Sequence, residues 1–151
     1  MDPSSSGFEL GTDGPSLIVV GIDGSRTSMR AAAYAGGLAR RQNTRILALY
    51  VGHVGASASL SPGAAAAMTE AAAQTAAELE AAIMGRAAET GMAAEFVAVA
   101  GDPFTEITRL ATSERADAVV VGTSEHAGHR IVGSLATRLV RAGKWPVIVV
   151  P

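Results

Sequence analysis

The sequence predicts an α/β fold with a parallel sheet and helices on both of its faces. Short β-branched runs alternate along the 151 residues with longer segments of helical periodicity. Hydrophobic residues make up 48% of the chain and aromatic residues 4%, which is enough for one core of mainly aliphatic side chains. Strands that alternate with helices form parallel sheets through right-handed crossovers. We therefore expect one domain over residues 16–151, with the element order βαβαβαβαβ.

Residues 1–15 are expected to form a flexible leader outside this domain. They are small and polar, with Pro and Gly among them. They lack the basic region and the apolar segment of a secretory signal peptide. Within them, Phe8–Thr12 resembles a translated cloning linker, so the leader is left out of the predicted fold.

The first predicted strand and helix are separated by a polar turn. The β-branched run Leu17–Ile22 predicts the strand, and Asp23 ends it. Asp23 or Ser25 can cap a helix from about residue 27 to 42 by accepting hydrogen bonds from its first N–H groups. The pair Gly36–Gly37 weakens this helix by about 1 kcal/mol per glycine. We interpret the pair as a place where the helix closely approaches the sheet.

The middle of the chain predicts a strand, a loop and a long helix. Arg45–Val51 is the second strand, and the Gly-, Ser- and Pro-rich residues 52–63 form the loop. A helix from about residue 64 to 90 follows, with Gly91 as its C-terminal stop. The apolar stripe of this helix is expected to face the sheet. Its members are Met68, Thr75, Leu79, Ala82 and Ile83.

The second half of the chain predicts three further strands. Phe96–Ala100 and Ala118–Val121 are β-branched or apolar runs, and Val147–Val150 is a final strand preceded by a proline. Between the first two strands, Asp102 and Pro103 suit the cap and the first position of a helix that ends near residue 115.

A strand–loop–helix unit near the end of the chain predicts an anion site. The strand that stops at Gly122 is followed by a polar loop and by a helix from about residue 133 to 142. In an open α/β sheet, ligands bind where such loops leave the carboxyl ends of strands. The amides of Gly133, Ser134 and Leu135 would lie at the helix start, where the dipole is positive. A phosphate group suits this position best.

Charge and composition exclude several classes of partner. The net charge is −2 without a basic bias, which argues against general binding to nucleic acid. No stretch has the length and apolarity of a membrane span. The absence of cysteine excludes disulfides and thiolate metal sites and is compatible with a reducing cytoplasm, where we expect the protein. Neither the P-loop pattern nor the dinucleotide-binding glycine pattern occurs.

The sequence gives little support for a metal site or a hydrolase triad. Glu125, His126 and His129 are residue types that bind zinc, but nothing orders them, and a solvated loop is favoured. Ser134 and Asp23 have the chemistry of triad members, yet the G-x-S-x-G pattern is absent and no spacing supports the arrangement. We therefore expect no catalytic residue, no metal and no enzymatic activity.

Five segments together resemble the universal stress protein family over nearly all of residues 16–151. No single segment is specific, whereas their combined order and spacing are typical of the family. The segments are Val19–Ser25 (VVGIDGS), Leu47–Val51 (LALYV), Gly101–Pro103 (GDP), Ala116–Gly122 (ADAVVVG) and the ending GSLATRLVRAGKWPVIVVP. The resemblance implies a Rossmann-like, five-stranded sheet of order 3-2-1-4-5, of the adenine nucleotide alpha hydrolase-like type.

The resemblance also implies a homodimer formed largely through the last strand. That strand is an apolar run, and at a sheet edge its unpaired backbone groups would need a partner or a cover. The alternative is a short edge that Pro146 and Pro151 protect. The candidate interface residues are Val147, Ile148, Val149 and Val150.

Many members of this family bind ATP, and the resemblance implies where ATP would bind here. Their loop reads G-x-x-G, then nine residues, then G-[S/T]. Gly122 matches the first glycine, and Gly133–Ser134 match the closing pair. Asp23 matches the acidic residue near the ribose, and Val51 matches the position that contacts adenine. The candidate nucleotide-binding residues are Ile22, Asp23, Val51, Gly122, Arg130, Gly133, Ser134 and Leu135.

The loop departs from the family pattern in charge and in length. Glu125 stands where the second glycine belongs, and Gly133 comes two positions early. Glycine lets backbone approach a phosphate closely, whereas glutamate adds a negative charge. A unit charge about 5 Å from one phosphate charge costs roughly 3 kcal/mol at an effective dielectric of about 20, which is about a hundredfold in affinity. Arg130 best offsets this charge because arginine is always protonated.

Three functional hypotheses follow from the sequence, of which the least favoured is slow phosphotransfer or ATP hydrolysis, since no residue pattern supplies a general base or a metal clamp for it. The other two carry more weight. The first is a small cytoplasmic regulatory protein of the universal stress type, which acts as a homodimer and through an unidentified protein partner, with nucleotide binding weak or lost. The second is an ATP-binding member of the family that uses the Gly122–Ser134 loop. ATP is the one cofactor that the resemblance implies.

Overall fold

The computed structural model describes residues 15–52, 61–124 and 132–151. Within these ranges, strands and helices alternate as the sequence predicts. They are β1 (Leu17–Ile22), α1 (Arg26–Gln42), β2 (Arg45–Gly52), α2 (Pro62–Thr90), β3 (Ala94–Ala100), α3 (Pro103–Ser113), β4 (Ala118–Gly122), α4 (Ser134–Ala142) and β5 (Val147–Val150). The predicted leader falls almost wholly outside the described residues.

The five strands form one parallel sheet in the order β3-β2-β1-β4-β5. β1 is central, so that Ile18 lies opposite Ile46 of β2 and opposite Ala118 of β4. The direction of the strand order reverses between β1 and β4, and such a switch point opens a crevice at the carboxyl ends of the strands. The predicted fold class and strand order are therefore confirmed.

Apolar layers cover both faces of the sheet because the side chains of each strand alternate in direction. β1 contributes Leu17 and Val19 to the layer that it shares with α3 and α4. It contributes Ile18, Val20 and Ile22 to the layer that it shares with α1 and α2. All five side chains are at most 4% exposed. Burial of each contributes about 1.5–3 kcal/mol, so the central strand anchors both layers.

Side-chain caps hold the starts of α1 and α3. Ser25 Oγ accepts a hydrogen bond from the amide of Ser28 at 3.2 Å, and Asp102 Oδ2 accepts one from the amide of Thr105 at 2.9 Å. Such a cap stabilises a helix by about 1 kcal/mol. Of the two residues that the sequence offers as caps of α1, Ser25 is the cap itself, and Asp23 supports the turn before it.

The packing of α1 and α2 on the sheet is looser than the sequence predicts. The glycine pair in α1 does not mark a close approach: a Cβ at Gly37 would meet nothing within 4 Å, and one at Gly36 would touch only a methionine side chain at 3.7 Å. Along the 29 residues of α2, only Leu79 and Ala87 are buried. Met68, which was predicted to face the sheet, is 41% exposed. Unfilled space therefore remains between the two helices.

Candidate functional site

A cavity of about 500 Å³ lies at the carboxyl ends of β1, β2 and β4. Its walls come from the turn before α1, the end of β2, the start of α3 and both ends of the Gly122–Ser134 loop. Cavities that hold small ligands measure about 300–1,000 Å³ and occur at such switch points. The structure brings seven of the eight predicted nucleotide residues to this cavity: Ile22, Asp23, Val51, Gly122, Gly133, Ser134 and Leu135.

The start of α4 presents backbone amides to the cavity. Gly133 is the N-cap residue, and it makes no side-chain cap hydrogen bond. The first amides of a helix have no acceptor within it, and the dipole places about half a positive charge there. Gly133, Ser134 and Leu135 all line the cavity. An anion in the cavity can therefore accept hydrogen bonds from the helix start.

The two glycines that bound the loop also have packing roles. A Cβ at Gly122 would stand 2.5 Å from the backbone carbonyl carbon of Thr27, so glycine is required where β4 passes the start of α1. A Cβ at Gly133 would stand 2.9 Å from Cβ of Ser124, so any side chain there would press against the other end of the loop. Neither requirement involves a ligand. Substitution of either glycine would therefore affect folding as well as binding, and the two effects could not be separated.

Asp23 lies in the turn between β1 and α1, at the cavity wall. Its Oδ1 accepts a hydrogen bond from the amide of Ser25 at 2.8 Å, and its own amide donates to Oγ of Ser28 at 3.2 Å. Partial burial raises the pKa of Asp23, but hydrogen bonds from Ser25 and Ser28 outweigh that effect and lower the pKa overall. The cavity therefore has an ionised carboxylate that can accept hydrogen bonds from ligand hydroxyl groups.

The backbone of Thr123 ties the cavity wall to the sheet edge. Its carbonyl accepts a hydrogen bond from Oγ1 of Thr27 at 2.6 Å, and its amide donates to the carbonyl of Val150 at 2.9 Å. Thr27 lies in the first turn of α1, and both threonines line the cavity. One peptide segment thus connects α1, the end of β4 and β5.

An apolar wall lies at the β2 and α3 side of the cavity. Val51 is half-buried there, and Leu49 and Ile107 belong to the same core layer. Sequence reasoning identified Val51 but missed Ile107 and Pro103 of α3. Both could have been identified from the predicted helix start directly after β3. That start must lie at the same edge of the sheet as the carboxyl ends of the other strands. The wall suits a flat apolar group such as a purine base.

Part of the predicted site lies outside the described residues. The loop residues concerned are Glu125, His126, His129 and Arg130. Among the residues that the structure describes, no group of three or more His, Cys, Asp or Glu could hold a metal ion. In the same ranges, no helix is both long and apolar enough to cross a membrane.

The candidate dimer residues form the edge strand β5. Val147–Val150 pair with β4 on one side, and each residue of the strand is half-buried. The other side of β5 has no partner strand in the described sheet. The homodimer stays a prediction, which this edge position supports.

The chain is similar to known universal stress proteins. The sequence model of the Universal stress protein family matches residues 16–151. A universal stress protein from Methanocaldococcus jannaschii is 29% identical over 136 residues, which cover 88% of this chain and 80% of that protein.

Solved structures of such proteins have the same fold. Universal stress protein UspA from Lactobacillus plantarum is 24% identical and superimposes with a TM-score of 0.76 over 90% of this chain and 97% of that chain. A universal stress protein in complex with cAMP is 26% identical, with a TM-score of 0.64 over 90% of this chain and 96% of that chain. The sheet is of the adenine nucleotide alpha hydrolase-like type that these neighbours share. With a family match across the whole sheet and every helix, the chain belongs to the universal stress protein family.

Proposed function

We propose that the protein is a stress-response regulator that binds an adenine mononucleotide, such as AMP or cAMP, in the 500 Å³ cavity. The observation that carries this proposal is that Asp23, Val51 and the start of α4 meet at one cavity. A carboxylate, an apolar wall and helix amides are suitable partners for a ribose, an adenine and a phosphate. The similar protein in complex with cAMP supports the same class of ligand.

The short acidic loop favours a mononucleotide over ATP. A single phosphate needs only the first amides of α4, whereas the outer phosphates of ATP would extend toward the loop. That loop is two residues shorter than the family pattern and carries Glu125. Charge repulsion across about 5 Å would cost roughly 3 kcal/mol and would weaken triphosphate binding by about a hundredfold. ATP binding is therefore weak, as the first hypothesis from the sequence has it, while the cavity serves a smaller nucleotide.

The role that we propose is binding rather than catalysis. Asp23 is the only carboxylate among the described residues that line the cavity, and the amide of Ser25 already occupies one of its oxygens. A binding protein of this kind acts by presenting its bound or empty state to a protein partner. We assign it to the cytoplasm, in keeping with a chain that contains no cysteine.

Isothermal titration calorimetry with a series of ligands tests this function. We expect AMP or cAMP to bind with a micromolar Kd. Adenosine should bind at least tenfold more weakly because it lacks the phosphate, and ATP with magnesium at least tenfold more weakly because of the loop. Absence of saturable heat with all four ligands up to millimolar concentration would contradict the proposal. It would favour a regulator that acts by dimerisation alone.

We also propose that the regulator is a homodimer joined through β5. The observation that favours this arrangement is an apolar strand at the sheet edge with one side unpaired in the described sheet. Val149→Arg should shift the sedimentation coefficient from that of a dimer to that of a monomer. Val140→Arg is the matched control, because Val140 is 56% exposed on α4 rather than in a strand. An unchanged dimer in Val149→Arg would exclude β5 as the interface.

A further inference from the structure

A second cavity, of about 320 Å³, lies between α1 and α2 over the sheet. Its wall residues are mainly alanine, glycine, isoleucine and methionine, and they come from the two helices, from β1 and β2 and, for Met92, from the connection between α2 and β3. Met29 and Arg40 both line it, and a rise of about 1.5 Å per residue separates them by roughly 16 Å along α1. The cavity is therefore elongated along the helix, and it is separate from the nucleotide cavity.

The space exists because small residues occupy positions where larger ones would fit. A Cβ at Gly37 would meet nothing within 4 Å, and one at Gly36 would meet only Met92 at an ordinary contact distance of 3.7 Å. Glycine in a helix interior costs about 1 kcal/mol relative to alanine. Close packing does not explain why α1 has glycines here, since there is room for side chains at both positions. The glycines keep the cavity open.

One end of this apolar cavity carries two cationic side chains. Arg40 comes from the last turn of α1 and Arg86 from the last two turns of α2, and both line the cavity. Arg40 has no hydrogen-bond or ion-pair partner among the described residues. Arg86 pairs with Glu89 at 3.1 Å, but both side chains are largely exposed, and such pairs contribute little. Both guanidinium groups are available to an anion.

We propose that this cavity binds an unbranched amphiphile with an anionic head group, of the medium-chain carboxylate class. The alkyl tail lies between α1 and α2 against Gly36, Gly37 and Met92, and the head group lies between Arg40 and Arg86. Two arginines at one end of the cavity favour an anionic head group. The long apolar remainder favours an alkyl tail over a compact polar ligand. Arginine also forms bidentate hydrogen bonds with carboxylate and phosphate groups alike.

Methionine methyl NMR locates the ligand. Met29 and Met92 line the cavity, whereas Met68 and Met84 lie exposed on α2 outside it. With decanoate below its micelle concentration, we expect the methyl signals of Met29 and Met92 to shift and saturate while those of Met68 and Met84 stay in place. Affinity should rise about fourfold per added methylene from hexanoate to decanoate, which is the effect of burying about 0.8 kcal/mol per group. Unmoved Met29 and Met92 signals, or equal shifts of all four, would overturn the proposal.

Two sets of variants separate the head group from the tail. The double variant Arg40→Gln, Arg86→Gln should bind decanoate at least tenfold more weakly than the wild-type protein and should bind decanol equally well. If the double variant and the wild-type protein bind decanoate with equal affinity, the head-group site is excluded. Gly37→Leu should fill the cavity and abolish binding of both ligands. Gly85→Leu is its control, because Gly85 has open space around its Cβ position and lies outside the cavity. Binding that survives Gly37→Leu would overturn the proposal. A comparison of the affinities for decyl phosphate and decanoate identifies the preferred head group.

Discussion

The backbone of Thr27 occupies the space into which a side chain at Gly122 would have to extend. The Cβ would stand 2.5 Å from the carbonyl carbon of Thr27 and 2.7 Å from the amide nitrogen of Ser28. Real Cβ atoms do not approach backbone so closely, and a helix start cannot move aside as a flexible side chain can. β4 therefore passes α1 only while residue 122 is glycine.

Gly122→Ala should consequently destabilise the fold by about 3 kcal/mol, at the upper end of what overpacking causes. Gly85→Ala is the control, since its Cβ would meet nothing within 4 Å on a helix that gains about 0.5–1 kcal/mol from alanine. Urea unfolding of both variants measures the two effects. Equal stability of Gly122→Ala and the wild-type protein would show that the first turn of α1 can shift.

Asp23→Asn should weaken AMP binding about tenfold, because a charged acceptor for the ribose hydroxyl groups is replaced by a neutral one. The amide oxygen can still accept the hydrogen bond from Ser25, so the turn is kept. A double-mutant cycle with 2′-deoxy-AMP isolates the contact between Asp23 and the ribose. The wild-type protein should bind 2′-deoxy-AMP more weakly than AMP, whereas Asp23→Asn should bind the two ligands equally well. Strictly additive effects would place the ribose away from Asp23.

Ser134→Asp should act on stability and on binding in opposite directions. An aspartate in the first turn of α4 interacts favourably with the helix dipole, by about 0.5 kcal/mol. The same charge about 5 Å from a bound phosphate should weaken AMP binding by about a hundredfold. Ser61→Asp adds the same charge at the cap of α2, outside the cavity, and should leave AMP affinity unchanged. If Ser134→Asp binds AMP normally, the phosphate does not lie at α4.

Variants of Glu125 separate loop charge from loop length. Glu125→Gln removes the charge, and Glu125→Gly also restores the backbone freedom of the family pattern. If charge is the obstacle, both variants should strengthen ATP binding by up to about a hundredfold and change AMP binding little. The ratio of the two Kd values, measured by calorimetry, is the readout. No gain in either variant would leave the two missing residues as the cause.

Protonation of Asp102 should make the fold less stable in acid. Hydrogen bonds from the amide and the hydroxyl of Thr105 lower its pKa, with Arg138 adding to the effect. Because the folded pKa lies below the unfolded one, the stabilisation is present above the unfolded pKa and is lost as pH falls through the folded pKa. Asp102→Asn keeps an acceptor but no charge. The advantage of the wild-type protein over this variant in urea unfolding should therefore shrink and vanish as the pH falls below the ordinary aspartate pKa of 3.8, and a difference that stays constant with pH would contradict the assignment.

Local sequence signals were sufficient for the framework of this fold. The bounds of β1 and β5 agree with the apolar runs, and Asp102 caps α3 as predicted, because strand runs and caps depend on neighbouring residues. The cavity at the carboxyl ends of the strands also follows from strand order alone. Its polar members could be named because the residues that follow a parallel strand must lie at that edge.

Features that depend on distant packing could not be predicted. The clash that fixes Gly122 involves the backbone of a helix almost a hundred residues earlier in the chain. The interpretation of the glycine pair in α1 was wrong because helix propensity shows the cost of a glycine but not the space beside it. Met68 was wrongly placed on the buried stripe of α2, since a 29-residue helix extends past the sheet on which it packs.

The two hydrogen bonds of Thr123 have a mechanical consequence. Its carbonyl is held by Thr27 and its amide by the last valine of β5. A ligand that displaces this residue from inside the crevice would therefore act on Val150 through that hydrogen bond. Occupancy would then be transmitted through one residue, without a hinge, to the rim of the molecule where the proposed second subunit would attach.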